Sequence, residues 1–392
     1  MSKQVNKANP ELAKELQQFG AEDVRRCYQC GNCASVCAHA GDPWLFPRRS
    51  VHMLQLGLEE RLKSSLEPWL CYYCGDCSTE CPREAEPGET MMALRRWLTS
   101  KYDFTGLSRL FYRSGTIEIF AIVLVALLTG AGFMAWGLSQ GDIRTYDGPT
   151  AFLDSSVVHI FDWVMGSVLF ALLSINALRM WWFTTGSGVN VKVPIGSYLR
   201  TLYLFPLHFI TQRRYRDCEE KKPWLFHLIL VLSYLTMLVL IMFFLHDMQE
   251  GPAINWFVHA PGYIASIGLL AVIIYSIRAR LKKSAPHSQQ SHESDWIFLI
   301  LLLVVTATGI LQHVLHRAGL DMAANITYVA HLMFVVPMLV LEVPFSKWSH
   351  MAYRPLAMFL AAAQCDALAQ QQKEAPFVQG AVDPVTGPEG NA

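Results

Sequence analysis

Charge is scarce in this chain. Only 16% of its 392 residues are charged, and 32 Lys and Arg balance 32 Asp and Glu to a formal net charge of zero. That balance offers no basic face to a polyanion, so nucleic-acid binding is set aside. No G-x-G-x-x-G follows a predicted strand, which excludes a dinucleotide-binding fold and a flavin carried by this chain. The first 110 residues hold no long apolar run, so no secretory signal peptide is expected at the N-terminus. Cysteine is nearly absent outside two short runs. Cys218 and Cys365 are left over, have no partner at metal-ligand spacing, and read as ordinary free thiols.

The runs themselves have identical spacing, Cys27-x2-Cys30-x2-Cys33-x3-Cys37 and Cys71-x2-Cys74-x2-Cys77-x3-Cys81. Thiolates at every third residue let one tight loop cover three corners of an iron-sulfur cubane, and a fourth cysteine from elsewhere covers the last. Two runs therefore specify two [4Fe-4S] clusters. In two-cluster ferredoxins the fourth cysteine crosses over, which places Cys27, Cys30, Cys33 and Cys81 on one cluster and Cys71, Cys74, Cys77 and Cys37 on the other. Structural zinc fits poorly, because its sites bring cysteines as C-x2-C pairs closed by four ligands. Disulfides would need an oxidising compartment, which the topology argues against.

Beyond the runs the chain is apolar: 52% of all residues are hydrophobic and the mean hydropathy is +0.25, the composition of a membrane protein. Six stretches can span about 30 Å of hydrocarbon, roughly 115–138, 155–183, 223–247, 254–279, 295–316 and 324–348. Trp136, Trp181, Trp182, Trp224, Trp256, Trp296 and Trp348 fall near their ends, where an amphipathic ring prefers the interface. Lys192, Arg200, Arg213, Arg214, Arg216, Lys221 and Lys222 follow the second span, and Arg278, Arg280, Lys282 and Lys283 follow the fourth; the opposite loops offer little beyond Arg144 and Arg317. By the positive-inside rule both termini are expected in the cytoplasm, with the chain multi-pass in the inner (cytoplasmic) membrane.

The expected fold is all-α: a cytoplasmic helical two-cluster ferredoxin-like domain over 1–105, a transmembrane haem-binding bundle of six helices over 110–355, and a flexible cytoplasmic tail over 356–392. Pro47 to Leu66 reads as one amphipathic helix, with Val51, Leu54, Leu58 and Leu62 on one stripe. Pro194 to Ile210 is too interrupted to span and is expected along the cytoplasmic membrane face.

Imidazole inside a bilayer is costly, so histidines within spans are read first as functional. His227 and His246 in the third span are 19 residues apart, as are His331 and His350 in the sixth. The two helices run antiparallel, so His227 comes level with His350 near the inner face and His246 with His331 near the outer, the levels about 28 Å apart. Two bis-histidine b-type haems follow from this arithmetic; the competing reading is polar caps at helix ends. On a straight helix 19 residues rotate roughly 100° past whole turns, so His227 and His246 share a face only if the helix bends. Pro337 and Pro344 can bend the sixth span, whereas the third has no interior proline. His259, His313 and His316 also lie on the outer side and can replace His246.

These residues carry a resemblance. CYQCGNCASVC, MLQLGLEE and WLCYYCGDCSTECPRE resemble the C subunit of heterodisulfide reductase. WLFHLIL, DWIFLILLLVVTATGIL and HLMFVVPMLVLEVPFSKWSH resemble the gamma subunit of respiratory nitrate reductase and the E subunit of heterodisulfide reductase. Fusion of the two modules is similar to the family of C subunits of quinone-interacting membrane-bound oxidoreductases of sulfate-respiring prokaryotes, over about residues 20–355. The resemblance implies that His227 and His350 ligate the haem nearer the cytoplasm and His331 the outer one. The nitrate reductase pattern has a second histidine where this chain has Met237, and His246 replaces it by depth alone. Ala38 stands where a proline commonly follows the fourth cysteine.

The implied role is an electron conduit between a menaquinone pool and cytoplasmic flavin- and iron-sulfur-containing subunits that serve adenylylsulfate reductase. His313, His316 and Arg317 are candidate neighbours of the quinone, against a plain solvated helix end. Glu342, beside Pro344, is a candidate proton relay, against a hydrogen bond to backbone freed by the proline. Two other functions fit the same residues: a heterodisulfide-reductase-type membrane component serving thiol and disulfide chemistry on a partner, and a non-redox membrane anchor with structural histidines.

Overall fold

The computed structural model describes residues 7–21, 23–146, 151–186, 192–249 and 254–374. Regular structure among them is helical, and strand pairing is limited to isolated bridges, Gly41 with Trp44 and Asp142 with Ala151. The fold is all-α, with a ferredoxin-type dicluster region leading into six long apolar helices.

The N-terminal region is built from short helices: α1 Leu12–Gln17, α2 Asn32–Ser35, α3 Arg48–Gln55, α4 Glu59–Lys63, α5 Glu67–Leu70 and α6 Asp76–Thr79, closed by the longer α7 Pro87–Tyr102 and α8 Leu107–Arg113. The expected single helix from Pro47 to Leu66 is instead two, α3 and α4. Gly57, at φ +67°, turns the chain between them, so Leu62 enters the core from α4 while Leu58, at the turn, is only half-buried. Glu67, fully buried, fixes the loop after the first run by accepting from Leu45 N at 3.0 Å and Ser50 Oγ at 2.8 Å and pairing with Arg49 at 2.6 Å. A buried carboxylate persists only when its lone pairs are met in this way.

The membrane region follows: α9 Gly115–Gln140, α10 Ser155–Gly186, α11 Ile195–Thr201, α12 Leu204–Thr211, α13 Lys222–Gln249, α14 Trp256–Lys282, α15 Glu293–Arg317 and α16 Asp321–Pro337. A π-helical turn, Met338–Glu342, then leads into α17 Val343–Phe345, which completes the sixth long helix. Six helices are long and apolar enough to cross a membrane, with mean hydropathies of 1.8 to 2.8 in their apolar windows. They coincide with the six stretches read from the sequence, and the chain is a multi-pass membrane protein. Between the second and third spans, Ile195, Leu199, Leu202 and Tyr203 on and beside α11 and α12 are exposed, an apolar face suited to the membrane surface.

Two further details depart from the sequence reading. The third span breaks without proline: Phe244, at φ −130° and ψ 21°, interrupts α13 one turn before its end. His159 Nε2 lies 2.7 Å from the Met242 carbonyl beside that break, an outside partner for a carbonyl next to the interrupted ladder. The second departure is at the C-terminus. Residues 356–374 are not a loose tail but the body of α18, His350–Glu374. Tyr353, Ala357, Leu360 and Ala361 of this helix are buried in the same core as Trp69, Leu94, Trp97 and Tyr102 of the N-terminal region. The alanines that suggested a tail are small packing surface. Residues 375–392 lie outside the described residues.

Candidate functional site

Both cysteine runs adopt one backbone conformation. Gln29 and Tyr73 have positive φ, and Gly31 and Gly75 follow two residues later at φ +92° and +95°. Glycine takes that region without a Cβ penalty, and each turn swings the chain into a one-turn helix, α2 or α6, that carries the third cysteine of its run. The two helices pack against each other, and Asn32 Nδ2 donates to the Glu80 carbonyl at 2.6 Å across the junction.

This packing sorts the eight thiols. Cys33 is surrounded by Cys27, Cys30 and Cys81, and Cys37 lies by Cys71 and Cys74. Burial, with repulsion from those neighbouring thiols added, pushes Cys33 and Cys37 up to about 11. Thiols so placed become thiolates only when a cationic centre joins them, the condition an iron-sulfur cluster supplies. Among the described residues no three His, Cys, Asp or Glu side chains converge closely enough to hold a single ion. The groups also differ in access: Cys30 is exposed, whereas Cys71 and Cys77 are buried.

Cys218 is a free thiol, as the sequence suggested, but it sits against the second cysteine run. It is buried, it lies in hydrogen-bond contact with Cys74, and its Sγ is 3.4 Å from His39 Nε2. Burial first, and then the charge of Arg214, hold His39 down to about 4, so its imidazole is neutral at physiological pH. Cys365 accepts from Trp44 Nε1 at 3.4 Å.

From the buried run a line of rings leads into the bundle. Tyr72 stacks on Tyr215 with centroids 5.1 Å apart, Tyr215 lies 6.1 Å from His227, and His227 lies 6.3 Å from His350. Two imidazoles sharing one metal at about 2.0 Å each, with roughly 1.1 Å more to the ring centre, have centroids about 6.2 Å apart. The pair therefore has the separation of a bis-imidazole metal site. His350 Nδ1 donates to the Lys347 carbonyl at 2.5 Å, which leaves Nε2 bare, the tautomer a metal needs. Burial pushes His350 down to about 3 and keeps it neutral. A cavity of about 280 Å³ opens on both imidazoles and is also lined by Tyr72, Tyr215, Tyr234 and Arg354. Arg354 joins the two centres: its guanidinium lies 3.6 Å from the Tyr72 ring centre, and Nη2 donates to the Cys71 carbonyl at 2.9 Å.

The far-side histidines are dispersed. His331 Nδ1 is 3.0 Å from Thr308 Oγ1, whose hydroxyl hydrogen goes to the Val304 carbonyl, so His331 Nδ1 donates. Gly309 makes room for that ring: a Cβ there would lie 3.0 Å from His331 Cε1. His246, beyond the break in α13, has Nδ1 3.3 Å from Ser155 Oγ on α10. The two imidazoles are thus engaged by different helices. His313 and His259 have centroids 5.6 Å apart, and His313 Nε2 is 2.9 Å from the Tyr263 hydroxyl. His316 stacks on Tyr146 at 3.8 Å, so it faces a different neighbour although it shares α15 with His313 and Arg317. Glu342 is fully buried within the π-helical turn and faces Glu118 of α9.

Sequence reasoning missed Tyr72, Tyr215, Arg354, Cys218 and Glu118. Arg354 had a signal, since it lies four residues after His350 and so on the same helical face. Tyr72 had one in its place beside Cys71. Tyr215 and Glu118 had none.

A family model described as a 4Fe-4S dicluster domain matches residues 22–85. A protein of Archaeoglobus profundus, named for its likeness to the C subunit of heterodisulfide reductase, is 37% identical over 99 residues, which is 25% of this chain and 52% of that protein. The chain thus spans about half the length of the curated relative it matches. No solved structure matches it significantly. The N-terminal region is an iron-sulfur electron-transfer module with likeness to that protein, attached to a membrane helical domain, and the cysteine pattern and the dicluster match together give two [4Fe-4S] clusters.

Proposed function

We propose that this chain is the membrane redox subunit of an oxidoreductase, carrying electrons between a menaquinone pool and cytoplasmic flavin- and iron-sulfur-containing subunits that serve adenylylsulfate reductase. Cys27, Cys30, Cys33 and Cys81 hold the solvent-side cluster, and Cys71, Cys74, Cys77 and Cys37 hold the membrane-side one. His227 and His350 hold a b-type haem on the module side. His331, with His246 as its replacement partner, serves a second haem on the far side. The basic loops after the second and fourth spans support a cytoplasmic side for the module.

One observation carries the reading: rings link Tyr72, next to Cys71, to the bis-imidazole site in steps of no more than 6.3 Å between centroids. Cluster module and imidazole pair open on one cavity. At the other end, exposed Cys30 and Tyr28 face solvent, where a soluble partner can exchange electrons. His313, with Tyr263 and His259 beside it, supplies polar groups for a quinone on the far side, with His316 and Arg317 as further candidates.

Reduced-minus-oxidised optical spectra with iron and acid-labile sulfide counts test the proposal. Two b-type haems and about eight non-haem irons per chain are expected, and His350→Ala should abolish one set of haem bands. A protein without b-type bands returns the reading to a membrane anchor. The name of the Archaeoglobus protein favours a second reading, a membrane component serving heterodisulfide chemistry on a partner, and the identity of the co-purifying proteins separates the two.

A further inference from the structure

We propose that Glu118 and Glu342 form a proton-holding pair that binds one proton at rest and takes up a second when the nearby haem iron is reduced. The redox half rests on the haem reading above; the resting half does not.

Glu118 belongs to the first turn of α9, and Glu342 ends the π-helical turn of the sixth span. Both are fully buried and face each other. Ser346 Oγ donates to Glu118 Oε1 at 2.5 Å. Glu118 Oε2 and both oxygens of Glu342 have no hydrogen-bond partner, although the Ser346 hydroxyl and the Lys347 amide border the pair. Two carboxylates in contact away from water, with three of their four oxygens unmet, cannot both carry charge, and a proton between them supplies the missing donor.

Among the described residues, neighbouring Asp295, Glu293, Tyr112 and Lys347 offer no other neutralisation. Asp295 and Glu293 of α15 are themselves acidic. Tyr112 of α8 is neutral, its hydroxyl held well above the usual phenol range by burial and by Glu118. Lys347 is engaged by Asp295, to which Arg280 also turns at 3.7 Å.

Four residues connect the pair to the imidazole site. Ser346 holds Glu118, its carbonyl accepts from Ser349 Oγ at 2.8 Å, and the Lys347 carbonyl orients His350. Ser349 and Tyr112 line the cavity that opens on His227 and His350. Charge at the iron and charge on the pair therefore act on each other through a low-dielectric medium, where they interact strongly. The step balances: one electron from a quinol, or from dithionite in the test, converts ferric to ferrous iron, and one proton from water enters the pair.

Infrared spectra of the full-length protein in detergent at neutral pH test the resting state. A protonated-carboxyl C=O band is expected that Glu342→Gln and Glu118→Gln each remove, because the new amide donates to the remaining carboxylate. Ser346→Ala should shift this band and keep it. A band unchanged in both glutamine variants, or absent from the unmodified protein, overturns the pair. For the redox half, the midpoint potential of the His227–His350 haem should fall with pH toward the one-proton limit of about 59 mV per unit, with a shallower slope in the Glu118→Gln/Glu342→Gln double variant, which has no carboxyl left to take a proton. An unaltered slope overturns the coupling. Absence of b-type bands would instead remove the haem reading and with it the coupling, while the infrared result still decides the pair.

Discussion

Cys37 and Cys81 end their own runs and lie beside the cysteines of the other run. The crossed grouping predicts an unequal pattern of damage. Cys37→Ser should disturb the membrane-side cluster and spare the solvent-side one, Cys81→Ser should do the reverse, and in each case iron should fall from about eight toward about four per chain. Electron paramagnetic resonance of the reduced protein assigns the surviving cluster; damage confined to the mutated run's own cluster would sink the crossing. A second expectation concerns Tyr215, which bridges Tyr72 and His227. If the proposed module-side haem is present, Tyr215→Leu should slow electron exchange between it and the clusters in stopped-flow experiments without changing the haem spectrum, and an unaltered rate would move the electron path elsewhere. The cysteines were legible because a ligand run is local. Tyr215 was not, because nothing near it in the chain marks it as the neighbour of Tyr72, 143 positions away.

Helix ends raise a different issue. The N-cap of α15 is His292, an unusual cap whose Nδ1 accepts from Ser294 N at 3.3 Å while its own amide donates to Asp295 Oδ2 at 3.2 Å. Burial, and after it the charge of Arg96, hold His292 down to about 4. An unfolded imidazole protonates near 6.5. Between those values the unfolded chain binds more protons, so the stability from the neutral cap is present above 6.5 and lost as pH falls toward 4. Melting temperature in detergent should drop through that window. His292→Asn, which keeps a capping oxygen without the titration, should flatten part of the drop. His292→Ala should lower the melting temperature already at neutral pH, a loss of about 1 kcal/mol. At this scale hydropathy located all six spans, since a bilayer dictates length and polarity along the chain itself. It did not show the break at Phe244 or the π-helical turn at Met338–Glu342, because such irregularities depend on what a neighbouring helix offers to freed backbone.

For the molecule as a whole, α18 unites the two regions. Tyr353 packs between Trp69 and Tyr102, with centroids 5.2 and 5.4 Å away, and Arg354 reaches the Cys71 carbonyl. Ending the chain after Pro355 should therefore cost the module its clusters, whereas ending it after Glu374 should spare them; iron content and thermal stability of the two truncations check this. Full iron in the shorter chain would show that α18 is dispensable. By itself the sequence determined the two clusters, the six membrane helices and the candidate imidazoles, because ligand spacing and hydropathy act over stretches of a few to about twenty residues. Tertiary structure alone decided that Cys218 lies against Cys74, that Tyr215 spans the gap to His227, and that Glu118 meets Glu342. Each of those contacts joins distant parts of the chain, and close packing of helices brings them together where no local pattern records it.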